Sequence, residues 1–355
     1  MSIIYEYQRY VATPETLKKV LEKYGVAIIP SVLTDAECEE MNQGMWDTLA
    51  HLTQDFDRNA TPGPIDSQDT TTWRSLYELF PLHSMLLQHW KIGHAQYIWR
   101  LREHPAILNI WSKFWGIPPE ELLVSFDGVS YHLPPEVTRR GWFMPKSDKG
   151  WLHTDQSYLR NNFECVQSWV TARDVRDGDA TLAILEGSHL HHAAFAKHFN
   201  ITDPSDWNRL KDREQLEFYM SRDCKRRSVK CPKGSIVFWD SRTLHSGQEP
   251  LKNRKTWNIR NIAYLCYTPR SLATPSNLKK KVKYLEDLRM TTHWPHKIKV
   301  FAKIPRTYDS PLPLIRDLPA PNLSRIGKIL AGYDPIKISE ENLDEEGYAI
   351  IDLIY

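Results

Sequence analysis

The sequence predicts an α+β chain in which a helical first third supports a run of short strands, and three observations predict it. Between residues 14 and 115 the apolar side chains mostly recur at helical intervals. From Leu122 to Tyr267 they come in short alternating or continuous runs broken by turn residues. Beyond Thr274 a lysine run and scattered prolines mark a change of pattern. At 355 residues, 41% apolar and 25% charged, the chain suffices for one large domain with an extension, or for two domains.

In order, Pro14 to Tyr24 has helical spacing and stops at Gly25, a residue suited to a helix C-cap. Val26-Ala27-Ile28-Ile29-Pro30 then reads as a short buried strand. Thr34-Asp35-Ala36-Glu37 carries a capping-box pattern and starts a second helix that continues to Leu52. Residues 54–72 are polar and read as a surface loop; Trp73 to Trp115 reads as a supporting helical layer broken around Glu103-His104-Pro105. His83, His89, His94 and His104 fall in that layer, and none has a carboxylate two residues on.

Leu122 to Tyr131 opens the strand region. Pro134 to Gly150, with Arg139, Arg140, Pro145 and Lys146, is a loop placed either as a lid or as a plain connector. Val166 to Thr171 and Gly178 to Leu185 alternate as strands, and Glu186-Gly187-Ser188-His189 closes the second as a turn. Residues 190–230 read as an insertion holding His191, His192 and a charged helical stretch, the histidines being structural or exposed. Ile236 to Trp239 is a further strand, and Trp257 to Tyr267 alternates with Arg260 on the same face as Ile262, Tyr264 and Cys266.

Chemistry concentrates in Trp151-Leu152-His153-Thr154-Asp155-Gln156. In an extended strand His153 and Asp155 point the same way and can share one cation, and theirs is the one His-x-Asp among fourteen histidines. Imidazole and carboxylate suit Fe(II), and a third ligand from a distant strand completes a facial triad. His245, 92 residues on and shortly after the apolar run ending at Trp239, is the candidate. Three coordination positions then stay open, two for a bidentate 2-oxo acid and one for O2. Arg260, on an otherwise half-apolar strand, needs an anion, and a dicarboxylate cosubstrate fits its guanidinium fork. Trp151 and Trp169 are candidate pocket walls, and Ser246 a candidate support for the cosubstrate carboxylate.

These parts together resemble the phytanoyl-CoA dioxygenase family of Fe(II)/2-oxoglutarate oxygenases over roughly residues 14–270. The resemblance rests on Gly25-Val26-Ala27-Ile28-Ile29-Pro30 with Leu33-Thr34-Asp35-Ala36-Glu37, on His153-Thr154-Asp155, on Trp169, on Gly187-Ser188-His189, and on Lys233 to Phe238 leading to His245. It implies a double-stranded β-helix, or jelly roll, buttressed by helices, with helical support over 1–121, the core over 122–270 and an extension over 275–355. It also implies that His153, Asp155 and His245 ligate iron and that Arg260 binds the distal carboxylate of 2-oxoglutarate. The sequence departs from the family pattern in three places. Leu185-Glu186 replaces the usual apolar-Pro step, Arg260 lies farther from His245 than usual, which makes Arg254 a competitor, and 190–230 and the residues past 275 have no clear counterpart.

The implied activity is hydroxylation of a C-H bond in a small-molecule or acyl substrate, with succinate and CO2 released. Two alternatives stand beside it: the same chemistry on a nucleotide or nucleic-acid base, and a metal-binding jelly roll that has lost catalysis and serves as an interaction module. Residues 276–306 hold nine Lys/Arg against Glu286 and Asp287, which is the feature behind the nucleic-acid alternative. A net charge of only +2 makes no general case for nucleic-acid or membrane-surface binding. Five scattered cysteines without a C-x-x-C pair, no signal-like N-terminus and no long apolar run lead to the expectation of a cytoplasmic, reducing setting without membrane insertion.

Overall fold

The computed structural model describes residues 3–80, 86–141, 151–307, 311–336 and 338. His83, Pro145, Lys146 and the acidic-then-apolar tail from Glu340 lie outside the described residues. Two facing sheets carry the fold. One has the spatial order β1 (Tyr5–Glu6), β9 (Lys225–Val229), β7 (Thr181–Glu186), β11 (His245–Gln248), β5 (His153–Thr154) and β8 (Asn208–Arg209). The other runs β2 (Val26–Ile29), β10 (Ile236–Asp240), β6 (Val166–Thr171), β12 (Arg260–Leu265) and β4 (Val129–His132). A short pair, β13 (Tyr267–Pro269) with β3 (Leu122–Val124), stands beside them. All neighbours in the three sheets are antiparallel except β1 with β9.

Residue parity decides which side chain faces where. The apolar runs of β2, β10, β6 and β12 are nearly continuous because both faces of that sheet are covered. Val26, Ile28, Trp169, Val237, Trp239 and Ile262 pack between the two sheets with Leu182, Ile184 and Val229. Their chain neighbours Ala27, Ile29, Val170, Ile236, Phe238, Ala263 and Leu265 face the helices. The arrangement is a double-stranded β-helix, or jelly roll, with a helical layer on one outer face.

That layer is built from α1 (Leu17–Tyr24), α2 (Asp35–Leu52), α3 (Leu76–Leu79), α4 (Gln96–Glu103) and α5 (Pro105–Trp115). Thr34 and Glu37 form the capping box of α2, with Glu37 N donating to Thr34 Oγ1 at 3.3 Å and Thr34 N to Glu37 Oε2 at 2.7 Å. Pro105 breaks α4 from α5 by occupying the first turn, where its missing N–H costs nothing. Met41, Met45, Ile98, Trp99 and Trp111 carry this layer onto the sheet.

Two segments differ from the sequence reading. Residues 190–230 are not a free-standing insertion, because Asn208–Arg209 and Lys225–Val229 are strands of the ligand-bearing sheet. The charged outer end of β9 hid it: Lys225 and Arg226 are exposed while Ser228 and Val229 are buried. The strand expected from Trp257 to Tyr267 splits at Cys266, where the chain leaves β6 and β4 to pair with β3.

The basic run after Thr274 is folded into the body. It forms the helix Pro275–Glu286, capped by Thr274, and buries Lys281, whose Nζ donates to the Val124 carbonyl and lies 3.9 Å from the Phe126 ring centroid.

Gly25 ties this scaffold to the strand that bears His245. It sits at φ +76° after α1, and its carbonyl accepts from Asp240 N at 3.1 Å and Thr243 Oγ1 at 3.0 Å. A Cβ there would lie 2.4 Å from Thr243 Oγ1 and 2.7 Å from His189 Nδ1. Gly25→Ala is expected to cost about 1–3 kcal/mol, read as a lower urea midpoint with an unchanged slope.

Candidate active site

β5 pairs with β11 so that His153 and His245 are direct cross-strand partners, with ring centroids 4.4 Å apart. Asp155 follows two residues after His153. Its Oδ1 lies 3.5 Å from His153 Nε2 and its Oδ2 3.2 Å from His245 Nε2. One donor atom from each of the three residues lies within 4.8 Å of the other two, and among the described residues this is the group placed to hold a metal.

The ring tautomers follow from the backbone. His153 Nδ1 faces the Trp151 carbonyl at 3.0 Å and His245 Nδ1 faces the Thr243 carbonyl at 2.9 Å. A carbonyl only accepts, so each Nδ1 carries the proton and each Nε2 turns a bare lone pair toward the carboxylate. Three electron-rich atoms aimed at one point repel one another unless a cation sits among them, so the donor set fits a divalent metal. Burial and His245 push the His153 imidazole down to about 4, which favours the neutral, ligating form. For Asp155, burial raises the carboxyl, and positive charge on the His153 and His245 rings would outweigh it and hold it below the usual carboxylate range; with both rings neutral, a bound cation takes that part.

Neighbours fix these groups further. Gln167 Nε2 donates to Asp155 Oδ2 at 2.8 Å. Trp151 stacks on the His153 ring with centroids 5.0 Å apart at 12°, and the Trp207 ring lies 5.5 Å from the same imidazole.

Arg260 comes from the facing sheet. Its Nε donates to Ser130 Oγ at 3.2 Å and its Nη1 to the Ala180 carbonyl at 3.1 Å, with Cζ 5.2 Å from the Trp169 ring centroid. Among the described residues it has no carboxylate within ion-pair distance, and it lines the same cavity as His153, Asp155 and His245. Arg254 is placed differently. Its fork is held by Glu136 at 2.6 and 2.8 Å and by Asp179 Oδ1 at 3.0 Å, and it lies outside that cavity.

The cavity is about 510 Å³. His245 and Gly247 face it, whereas Ser246, between them, takes the other face of β11 and is not part of the lining. Trp169 backs Arg260 rather than lining the space. His189 and His192 are structural, bonded through Nε2 to the carbonyls of Glu22 and Ser157 at 3.0 Å each.

Several lining residues went unnoticed in the sequence. Gln167 was detectable as a polar side chain inside a wholly buried strand. Tyr264, which period-two spacing already puts on the Arg260 face, lines the cavity beside it. Asp127, Asp206, Trp207, His293 and Trp294 lie outside the named strands and helices and gave no periodic signal.

A jelly roll with two imidazoles and one carboxylate converging beside an arginine defines the class of non-haem metal oxygenase folds. The sequence model of the Phytanoyl-CoA dioxygenase (PhyH) family matches residues 21–250, and the chain belongs to that family of iron- and 2-oxoglutarate-dependent oxygenases. It is 24% identical over 241 residues to Ava biosynthesis cluster protein O of Aspergillus versicolor, covering 66% of this chain and 73% of that protein. Among solved structures, a putative oxidoreductase from Salmonella typhimurium LT2 superposes with a TM-score of 0.52 at 12% identity, covering 90% of this chain and 82% of that one. A hypothetical protein from Escherichia coli does so with a TM-score of 0.51 at 13% identity, covering 91% and 85%. At these identities the two structures speak for the fold. No described helix is long and apolar enough to cross a membrane.

Arg254 bridges the buried Asp179 to Glu136, and Asp179 also holds Arg176 Nε at 3.2 Å, so Arg254→Met removes one of its two cationic partners. The expected loss is about 1–2 kcal/mol in urea denaturation, less than for a buried carboxylate left wholly unpaired.

Proposed function

We propose that this protein is an Fe(II)- and 2-oxoglutarate-dependent dioxygenase that hydroxylates a C-H bond of a small molecule, releasing succinate and CO2. The observation that carries the reading is the convergence of His153, Asp155 and His245 in one cavity with Arg260. In this reading the three residues ligate iron and Arg260 takes the distal carboxylate of the cosubstrate. When bound, the metal and 2-oxoglutarate supply the O2 activation that no side chain can provide.

The protein's own part is positional. Backbone carbonyls of Trp151 and Thr243 keep both imidazoles in the ligating tautomer, and Gln167 orients the carboxylate. Ser130 and the Ala180 carbonyl aim the Arg260 fork while Trp169 supports its face. Arg260 is favoured over Arg254 as the cosubstrate arginine because Arg254 is already occupied by two carboxylates.

The size of the cavity and the use made of the basic segment favour a small-molecule substrate over a nucleic acid. Lys281 is buried, Arg289 bonds the Phe301 carbonyl at 2.9 Å, Lys297 pairs with Glu164 at 3.3 Å and Lys299 with Asp206 at 3.1 Å. Side chains so engaged are poorly placed to track phosphates.

Anaerobic addition of Fe(II) and 2-oxoglutarate to the folded protein is expected to give a weak visible charge-transfer band. His153→Ala and Asp155→Ala should each remove that band and iron retention; a band of full strength in either variant refutes the ligand assignment. Arg260→Ala is expected to raise the 2-oxoglutarate requirement roughly a hundredfold, the scale of a lost buried charge-assisted contact, measured by succinate formation. If Arg254→Ala produces that shift instead, the choice between the two arginines is wrong.

A further inference from the structure

A second polar cluster in the cavity has no part in holding metal or cosubstrate. Asp127 lies in the link between β3 and β4 and is only 6% exposed. Its Oδ1 accepts from Gly128 N at 2.7 Å and Gln88 Nε2 at 3.3 Å. Among the described residues Oδ2 has no hydrogen-bond partner, and neither oxygen has an ion pair. The buried cation Arg102 donates instead to main-chain carbonyls, from Nη2 to Asp127 O at 3.1 Å and from Nη1 to Gly93 O at 2.6 Å.

The backbone around Asp127 is closed to the limit. A Cβ on Gly93 would lie 2.2 Å from Asp127 O, and one on Gly128 would lie 2.1 Å from Leu87 O. His293 is delivered to the same cavity by Thr291, whose N donates to Phe126 O at 2.9 Å and whose Oγ1 accepts from Phe126 N at 3.0 Å. Its Nε2 is buried without a partner. Tyr264, Trp207, Trp294 and Phe301 complete an aromatic lining.

Burial raises the Asp127 carboxyl above its usual value, against which His293 and the Arg102 cation act without an ion pair to either oxygen, and a cation brought by a ligand onto Oδ2 favours the ionised form. Aromatic faces add to the attraction for a positively charged nitrogen. The other charges of the lining are already matched. Lys299 pairs with Asp206, which also takes Arg160 from outside the lining, and the oxygenase reading assigns Arg260 to the cosubstrate. Among the described residues of the lining, an anionic substrate finds no spare cation.

Building on that reading, we propose that Asp127 and His293 anchor the prime substrate, and that this substrate is a small molecule bearing a protonated amine on an apolar, ring-sized body. The ammonium sits on Asp127 Oδ2, His293 Nε2 offers a second polar contact, and the ring packs among the aromatic side chains.

The test uses the full-length protein with Fe(II) and 2-oxoglutarate under anaerobic conditions. Tryptamine, phenethylamine and cyclohexylmethylamine are each titrated beside their N-acetyl derivatives, which keep the body and lose the charge. The amines are expected to bind at least tenfold more tightly than their acetylated partners. Asp127→Asn, which keeps an oxygen for Gly128 and Gln88, is expected to erase that preference. Equal affinity within each pair in the wild-type protein, no binding of any amine, or a preference that survives Asp127→Asn overturns the proposal. Should Asp127→Asn fail to fold, the wild-type comparison alone decides. Repeating the titrations with EDTA in place of iron separates the two ideas. An amine preference without a charge-transfer band defeats the oxygenase reading and keeps the anchor; a band without the preference does the opposite.

Discussion

The structure turns on the register between two short strands. His153 is the Cα partner of His245 on one side and of Arg209 on the other, and β5 is only two residues long. A slip of one residue would turn Thr154 toward the metal position and take His153 and Asp155 away from it. So short a ladder cannot hold its own register, and side chains supply what it lacks. Asp155 N and Gln156 N both donate to the Ser241 carbonyl, at 3.0 and 3.1 Å. Gln156 then donates through Nε2 to the carbonyls of Arg160 and Asn162 at 2.7 and 2.8 Å and accepts from Ser241 Oγ at 2.8 Å. The buried amide of Gln156 thus clamps the His-x-Asp strand to the turn that leads into His245.

That clamp works because the rest of the sheet sandwich is stiff. Parity divides β2, β10, β6 and β12 into an inner set against the other sheet and an outer set against α1 to α5, so each strand is gripped from both sides. Such gripping is needed where electron-rich atoms converge. A cluster of two lone pairs and a carboxylate destabilises the metal-free fold locally, and burial of large side chains such as Trp111, Trp169 and Phe238 offsets that cost. The same stiffness holds Arg260 at a fixed place across the space between the sheets.

Much of this was legible in the sequence, for physical reasons. Helix starts and stops at Gly25, Thr34 and Pro105 are local signals, readable without knowing the fold. His153 and Asp155 were visible as a period-two pair, and Arg260 as a charge on an apolar face. The sequence favours Arg260 over Arg254 because Arg260 stands within an alternating strand, but it does not show that Glu136 and Asp179 reach Arg254 from distant parts of the chain. That Ser246 lies off the cavity lining depends on which face of β11 His245 occupies, which the sequence does not give. β9 escaped notice because its charged outer residues masked its alternation, and the basic run near Lys281 gave no hint that it would be buried under Phe126.

The cavity has two halves of different construction. Its metal-binding half stands on strands β5, β6, β11 and β12, where backbone ladders leave little freedom. Its remaining wall comes from connecting segments around Gln88, Asp127, Trp207 and residues 292–301. Connections vary in length and composition far more readily than paired strands, so a chain of this kind can change what it admits while keeping what it does. The segment after Met290 illustrates how such a wall is still held firm. Thr291 is bonded twice to Phe126, and the buried Lys281, its Nζ 3.9 Å from the Phe126 ring centroid, bonds the Val124 carbonyl. The part of the chain that looked most like an appendage in the sequence therefore supplies His293 and Trp294 to the cavity from a fixed support.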